Sequence, residues 1–178
     1  MDINAGNRWV VMGVSGCGKS EIGARLAAAL GVPFLEGDTF HPQANVAKMS
    51  AGMPLDDDDR AGWLLTLQGK ILAAARRGEG LVLSCSSLKR RYRDLLRQAD
   101  PQLRFAHLDG ERAVIEGRMR ARSGHYMPTS LLDSQLRDLE PLQADEDGLR
   151  LDLTLSPDQL VSLILQHLKT LQHLKTQQ

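Results

Sequence analysis

The chain reads as an α/β protein built on an open parallel sheet. Two observations predict this class: five short, β-rich apolar runs alternate with longer segments of helical period, and a glycine-rich turn joins the first run to the first helix. With 178 residues, 42% of them hydrophobic and 25% charged, length and balance suit one domain over residues 1–178 with its own core.

The strand candidates are "WVVMG" from Trp9, "VPFLE" from Val32, "LVLSCS" from Leu81, "FAHLD" from Phe105 and "LRLDLTL" from Leu149. Between and after them the periodicity predicts helices over 19–30, 42–50, 57–77, 88–98, 111–122, 130–139 and 157 to about 173. The first sets Ile22, Leu26, Ala29 and Leu30 on one face and meets Gly31 where the chain must leave the helix. The third sets Leu64, Leu67, Ile71, Leu72 and Ala75 on one stripe, starts in the acidic run Asp56 to Asp59 that suits a helix N-terminus, and stops at "GEG". Near the C-terminus "LQHLKT" occurs twice, over 165–170 and 171–176. Leucines three apart drift around a helix, so residues 166–178 read as an extended helix or a frayed tail.

Lys and Arg total 22 against 22 Asp and Glu, and aromatic residues make up 4% of the chain. A zero net charge with so few stacking platforms argues against nucleic acid as a partner and requires any anion site to be local. Neither a leader pattern nor a bilayer-spanning apolar run is visible, which predicts a soluble protein with no membrane partner. Two cysteines, Cys17 and Cys85, are too few for a disulfide framework or a zinc site, and this suits a reducing, cytoplasmic location.

Residues 13–20, "GVSGCGKS", fit the phosphate-loop pattern G-x-x-x-x-G-K-[ST], placed after a strand and opening a helix. Gly13, Gly16 and Gly18 permit backbone turns that side chains would block. The N–H groups from Val14, Ser15, Gly16 and Cys17 onwards can then point inward at the phosphates of ATP. The helix N-terminus adds partial positive charge. In this pattern Lys19 bridges the β- and γ-phosphates and Ser20 holds Mg2+.

The segment after the second strand separates a switch, a motor and a kinase. Asp38 lies just past the carboxyl end of that strand, where ligands gather in open parallel sheets, and is the candidate base for an acceptor hydroxyl. Glu36, two residues earlier, points the same way and reaches the metal through water. His41, Asn45, Lys48 and Arg60 supply donors for a polar, anionic substrate, with the acidic run starting the long helix and orienting Arg60. After the third strand, "CSSLKRRYRDLLR" puts Lys89, Arg90, Arg91 and Arg93 in a first helical turn, an arrangement that calls for a compensating anion. Arg118 and Arg122 are four apart, share a helical face and suit a clamp on ATP that closes with a mobile segment. The residues alone leave open a kinase for a sugar acid or polyol and a non-catalytic ATP-binding switch.

Taken together, "GVSGCGKS", "EGDTFHPQANVAKMSAGMPLDDDDR", "CSSLKRRYRDLLR" and "SGHYMPTSLLDSQLRDLEPLQADE" resemble the gluconate kinases, small phosphate-loop kinases related to shikimate and nucleoside monophosphate kinases. The resemblance implies a three-layer sandwich with helices on both faces of a five-stranded sheet ordered 2-3-1-4-5. It also implies a closing lid around 118–127 and a homodimer. It implies transfer of the γ-phosphoryl of ATP to the 6-hydroxyl of D-gluconate. Carried onto this sequence, Lys19 and Ser20 act on ATP and Mg2+, and Asp38 stands beside the acceptor hydroxyl. His41, Lys48, Arg60 and Arg90 bind gluconate, Arg118 stacks on adenine and Arg122 reaches phosphate.

Overall fold

The computed structural model describes residues 6–121 and 128–177. Its elements run β1 (Arg8–Met12), α1 (Lys19–Leu30), β2 (Phe34–Glu36), a 3₁₀ turn (Gly37–Phe40), α2 (Gln43–Ser50), α3 (Asp57–Arg76), β3 (Leu81–Ser84), α4 (Arg90–Arg97), β4 (Arg104–Asp109), α5 (Arg112–Ala121), α6 (Thr129–Asp138), β5 (Gly148–Asp152) and α7 (Pro157–Thr176). The strands form one parallel sheet in the order β2-β3-β1-β4-β5, as the resemblance implied. Val10 of the central strand lies opposite Leu83 on one side and Phe105 on the other.

Alternation along β1 shows why the sheet needs helices on both faces. Trp9 and Val11 enter one core with Ile22, Leu26 and Leu30 of α1 and Leu160, Ile164 and Leu168 of α7. Val10 and Met12 enter the other, with Trp63, Leu67 and Ile71 of α3 and Tyr92 and Leu96 of α4. These four side chains of β1 are fully buried, and a parallel strand covered twice has no polar alternation to show.

Two predicted faces shift slightly. In α1 the buried arc runs through Ile22, Gly23, Leu26, Ala27 and Leu30, leaving Ala29 exposed. Gly23 is part of that arc because the Phe34 ring packs onto it; a Cβ there would lie 2.5 Å from Phe34 Cε2. In α3 the stripe is Arg60, Trp63, Leu64, Leu67, Ile71 and Ala74, so Ala74 replaces Ala75, Leu72 is only partly buried, and two residues near the N-terminus join it. The acidic start of α3 is a capping box: Asp56 accepts from the Asp59 amide and Asp59 from the Asp56 amide. β5 ends at Asp152, and the chain turns into a second capping box, Ser156 with Gln159, ahead of Pro157. Along α7 the leucines occupy changing faces: Leu160 and Leu168 are buried, Leu163 and Leu174 exposed. No helix among the described residues is long and apolar enough to cross a membrane.

The segment between α6 and β5 is tied down by a buried ion pair. Arg93 donates to both carboxylate oxygens of Glu146 at 2.7 Å, with both side chains fully buried. The same guanidinium reaches the carbonyls of Ser87 and Glu140, each at 3.0 Å. Burial works to raise the Glu146 pKa, but hydrogen bonds from Arg93, the Gln143 amide and Arg97 overcome it and hold the group at about 2.

This packing can be tested in two ways. Glu146→Gln should lower stability by roughly 3 kcal/mol in urea unfolding at neutral pH, because it strands a buried guanidinium. The folded pKa lies below the ordinary 4.5, so the carboxylate's contribution is complete above that value and fades as pH falls towards about 2. The gap between the two proteins should close over that window. Cys17 and Cys85 are fully buried and unbridged, and burial raises both thiol pKa values, Cys85 to about 11. Neither should react with a thiol reagent at neutral pH until the protein unfolds, and labelling of the native protein checks this.

Candidate active site

Parallel strands deliver their carboxyl ends to one edge, so the segments after β1, β2 and β3 converge there. The loop from Gly13 to Gly18 leaves β1 and starts α1 at Lys19, with Gly18 as N-cap in the left-handed region at φ 98°. Lys19 folds back so that Nζ donates to the Val14 carbonyl at 3.0 Å. The Ser15 amide donates to Gln135 Oε1 of α6 at 2.6 Å, and both residues line the same cavity. Cys17 offers its carbonyl, which lies 3.5 Å from Arg118 Nη1; Nη2 of the same arginine donates to the Leu153 carbonyl in the turn before α7. Arg118 therefore bridges the phosphate loop and that turn. Arg120 is largely exposed and faces Glu116 at 3.8 Å. Arg122 and most of the expected lid lie outside the described residues.

Glu36 ends β2 and joins three elements. It accepts hydrogen bonds from the Ser20 hydroxyl at the start of α1 and from the Ser84 hydroxyl at the end of β3. Ser84 Oγ also accepts from the Gly37 amide at 3.1 Å. Only glycine fits at position 37, since a Cβ would lie 2.1 Å from the Ser84 carbonyl oxygen. The chain then curls through the 3₁₀ turn and presents Asp38 and His41 to the loop.

A cleft open to solvent lies between these segments. It brings together Lys19, Asp38, His41 and Arg60. The Asp38 carboxyl is two-thirds exposed and lies 3.9 Å from His41 Nε2. Arg60 is 5% exposed, and among the described residues its partners are the Tyr92 hydroxyl and Asp138, both at a long 3.3 Å. Among the described residues both bonds come from Nη1, which leaves Nε and Nη2 as donors for an anion in the cavity.

Two expected substrate residues are elsewhere. Lys48 pairs with Asp59 at 2.6 Å and is not in the cavity lining; that hydrogen bond raises the lysine pKa and lowers the aspartate pKa. Arg90 is turned towards the segment before β5. It holds Asp145 through two hydrogen bonds, at 2.7 and 2.9 Å, with Gln143 at 2.8 Å, and the Asp145 bond raises its pKa. The anion that the basic turn calls for is internal: Lys89, Arg91 and Tyr92 all donate to Asp57.

The sequence reading missed Trp63, Ser134 and Gln135, which also line the cavity. Trp63 had a visible signal, because residues 60, 63, 64, 67, 71 and 74 continue one helical stripe. Ser134 and Gln135 had none. They reach the site because α6 packs back over the phosphate loop.

The AAA domain family matches residues 9–142. The thermosensitive gluconokinase of Escherichia coli (strain K12) is 46% identical over 150 residues, covering 84% of this chain and 80% of that protein. The gluconokinase of Gluconobacter oxydans (strain 621H) is 45% identical over 89% of each chain. The crystal structure of a gluconokinase from Sinorhizobium meliloti 1021 superposes with a TM-score of 0.88 at 42% identity, over 97% of this chain and 98% of that one. Similarity of this depth runs over most of the chain, and the chain belongs to the gluconokinase family of kinases.

Proposed function

We propose that the protein transfers the γ-phosphoryl group of ATP to the 6-hydroxyl of D-gluconate, giving 6-phospho-D-gluconate and ADP. The observation that carries this reading is a single cavity onto which Lys19 of the phosphate loop and Asp38, His41 and Arg60 of the acceptor wall all open. The relatives' names give the acceptor, and a buried arginine gives its carboxylate a partner.

In this reading the phosphates lie on the loop between Gly13 and Gly18, where the Ser15 amide exchanges Gln135 Oε1 for a phosphate oxygen, and on the N-terminus of α1. Lys19 leaves the Val14 carbonyl for the β- and γ-phosphates, where its charge balances the oxygens of the transferring group. Arg118, already between the loop and the turn before α7, takes the adenine, and Arg122 takes phosphate. Asp38 accepts the proton of the 6-hydroxyl as the new O–P bond forms and the bond from the γ-phosphorus to the bridging oxygen breaks. Arg60 binds the carboxylate, His41 a hydroxyl, and Lys48 acts on the wall through Asp59.

Ser20 and Glu36 are hard oxygen donors suited to Mg2+. Among the described residues no group of three or more His, Cys, Asp or Glu gathers as a metal site, so the cation takes most of its ligands from phosphate and water. When bound, it neutralises charge on the phosphoryl oxygens. A homodimer, implied by the resemblance, and a reducing cytoplasmic location, suited to two unbridged thiols, complete the reading.

The test is ADP release with Mg2+ and ATP, comparing D-gluconate with shikimate, glucose, other sugar acids and no acceptor. Strong stimulation by gluconate alone, with 6-phosphogluconate as product, is expected; ATP binding without stimulation by any acceptor would refute the reading. Lys19→Ala should lower kcat by about 10²-fold or more. Asp38→Asn should bind ATP normally and lose transfer, and near-normal turnover would remove Asp38 as the base. Arg60→Gln should raise KM for gluconate about tenfold or more, with a smaller change in kcat, and an unchanged KM would take Arg60 out of the site.

A further inference from the structure

The proton position on the cavity histidine can be deduced from its neighbours. The His41 side chain is 5% exposed and its ring lies on Trp63, with centroids 4.0 Å apart and planes 18° from parallel. Trp63 is itself fixed, because Nε1–H donates to the Gly37 carbonyl at 2.8 Å. One edge of the imidazole, Nε2, faces Asp38 Oδ1 at 3.9 Å. The other, Nδ1, lies 3.3 Å from Nδ2 of Asn45, a residue 3% exposed.

Asn45 has a second contact that fixes its orientation. Its side chain lies 2.8 Å from the backbone carbonyl oxygen of Asp59. A carbonyl oxygen only accepts, so the amide atom facing it must be the NH₂ nitrogen. That nitrogen donates and has no lone pair to offer, so His41 Nδ1 opposite it must accept. An imidazole that accepts at Nδ1 is neutral and carries its proton on Nε2, the edge turned to Asp38 and the cavity.

We propose that Asn45 is a positioning residue that holds His41 as the neutral Nε2–H tautomer, so that His41 meets the acceptor as a hydrogen-bond donor rather than as a cation or a proton carrier. The inference deepens, and rests on, the assignment of this cavity to the sugar acid. It also explains how the charges divide. Arg60 and Lys19 carry the positive charge, while a neutral neighbour leaves Asp38 free to accept a proton; an imidazolium at that distance would hold Asp38 as an ion-pair partner instead.

The ionisable groups around the ring act in the same sense on balance. Burial lowers the His41 pKa, Asp38 on the 3₁₀ turn raises it and Arg60 on α3 lowers it, for a net fall. Asp59 on α3 is committed to Lys48 of α2, and Lys19 lies across the cavity.

The first test uses the unaltered protein. Long-range nitrogen–proton correlation spectra of the imidazoles, with His41 assigned by comparison with His41→Gln, should show a bare Nδ1 and a protonated Nε2 at neutral pH. The opposite tautomer, or an imidazolium, overturns the proposal. Asn45→Asp replaces the donor with a carboxylate; the His41 titration midpoint should rise by about one pH unit or more, and the acidic limb of kcat/KM for gluconate should move with it. An unmoved midpoint overturns the proposal. Should that variant not fold, His41→Gln and His41→Leu decide: glutamine keeps a neutral N–H near Nε2 and should stay within about tenfold of wild-type kcat/KM, whereas leucine should lose about 100-fold. Equal losses count against a donor role. If wild-type protein fails to phosphorylate gluconate, the reading of the cavity fails, yet tautomer and titration are still measured, so the two failures are distinct.

Discussion

The site depends on one carboxylate. Glu36 accepts from Ser20 and Ser84, so a single charged group joins the end of β2, the end of β3 and the first turn of α1. Hydrogen bonds to an ionised acceptor are roughly twice as strong as neutral ones, which makes this junction stiffer than loop packing alone. The Gly37 amide on Ser84 Oγ extends it by one residue, and the missing Cβ at 37 lets β2 end close against β3. Asp38 and His41 come within one turn of it, so their direction is inherited from Glu36. A longer or looser link would leave Asp38, two-thirds exposed, without a fixed distance to the phosphate loop.

Around this junction charge is largely neutralised internally, and the exceptions mark the site. Asp57 collects Lys89, Arg91 and Tyr92, Asp145 takes Arg90, Asp59 takes Lys48, and Glu146 takes Arg93 and Arg97. Arg60 differs. It is as buried as a core residue, its hydrogen bonds are long, and its guanidinium rests 5.7 Å from the centre of the Tyr92 ring. Burying a cation against one carboxylate at 3.3 Å leaves part of its donor set to be satisfied, and a ligand in the cavity can complete it.

The sequence made some of this legible and hid the rest for physical reasons. A glycine turn between a β-rich run and a helix has few structural solutions, so the phosphate loop and the alternation of elements could be read directly. Asp38, His41 and Arg60 were within reach because chain position after β2 and at the start of α3 determines which edge of the sheet they occupy. Lys48 and Arg90 looked alike to them by residue type, and what removed them from the cavity was a carboxylate, 11 residues away for Lys48 and 55 for Arg90, that composition does not reveal. Gln135 came from the packing of α6 across the loop, 120 residues from its partner Ser15, and no local pattern encodes such a contact. Gly23 gave no apolar signal in a helix, since its burial depends on a phenylalanine from the next strand.

The stripe on α3 has a consequence for how this enzyme can come apart. Trp63, Leu67 and Ile71 fill the core beneath the sheet, and Arg60, one turn earlier on the same face, reaches the cavity. Core and site share a helix, so the acceptor wall has no private hinge. An excursion that frees Arg60 by unwinding α3 also exposes a tryptophan, which makes such openings nearly as costly as global unfolding. Backbone amides of the wall should therefore exchange with solvent on the timescale of the core. Conformational freedom during turnover has to come from segments other than α3.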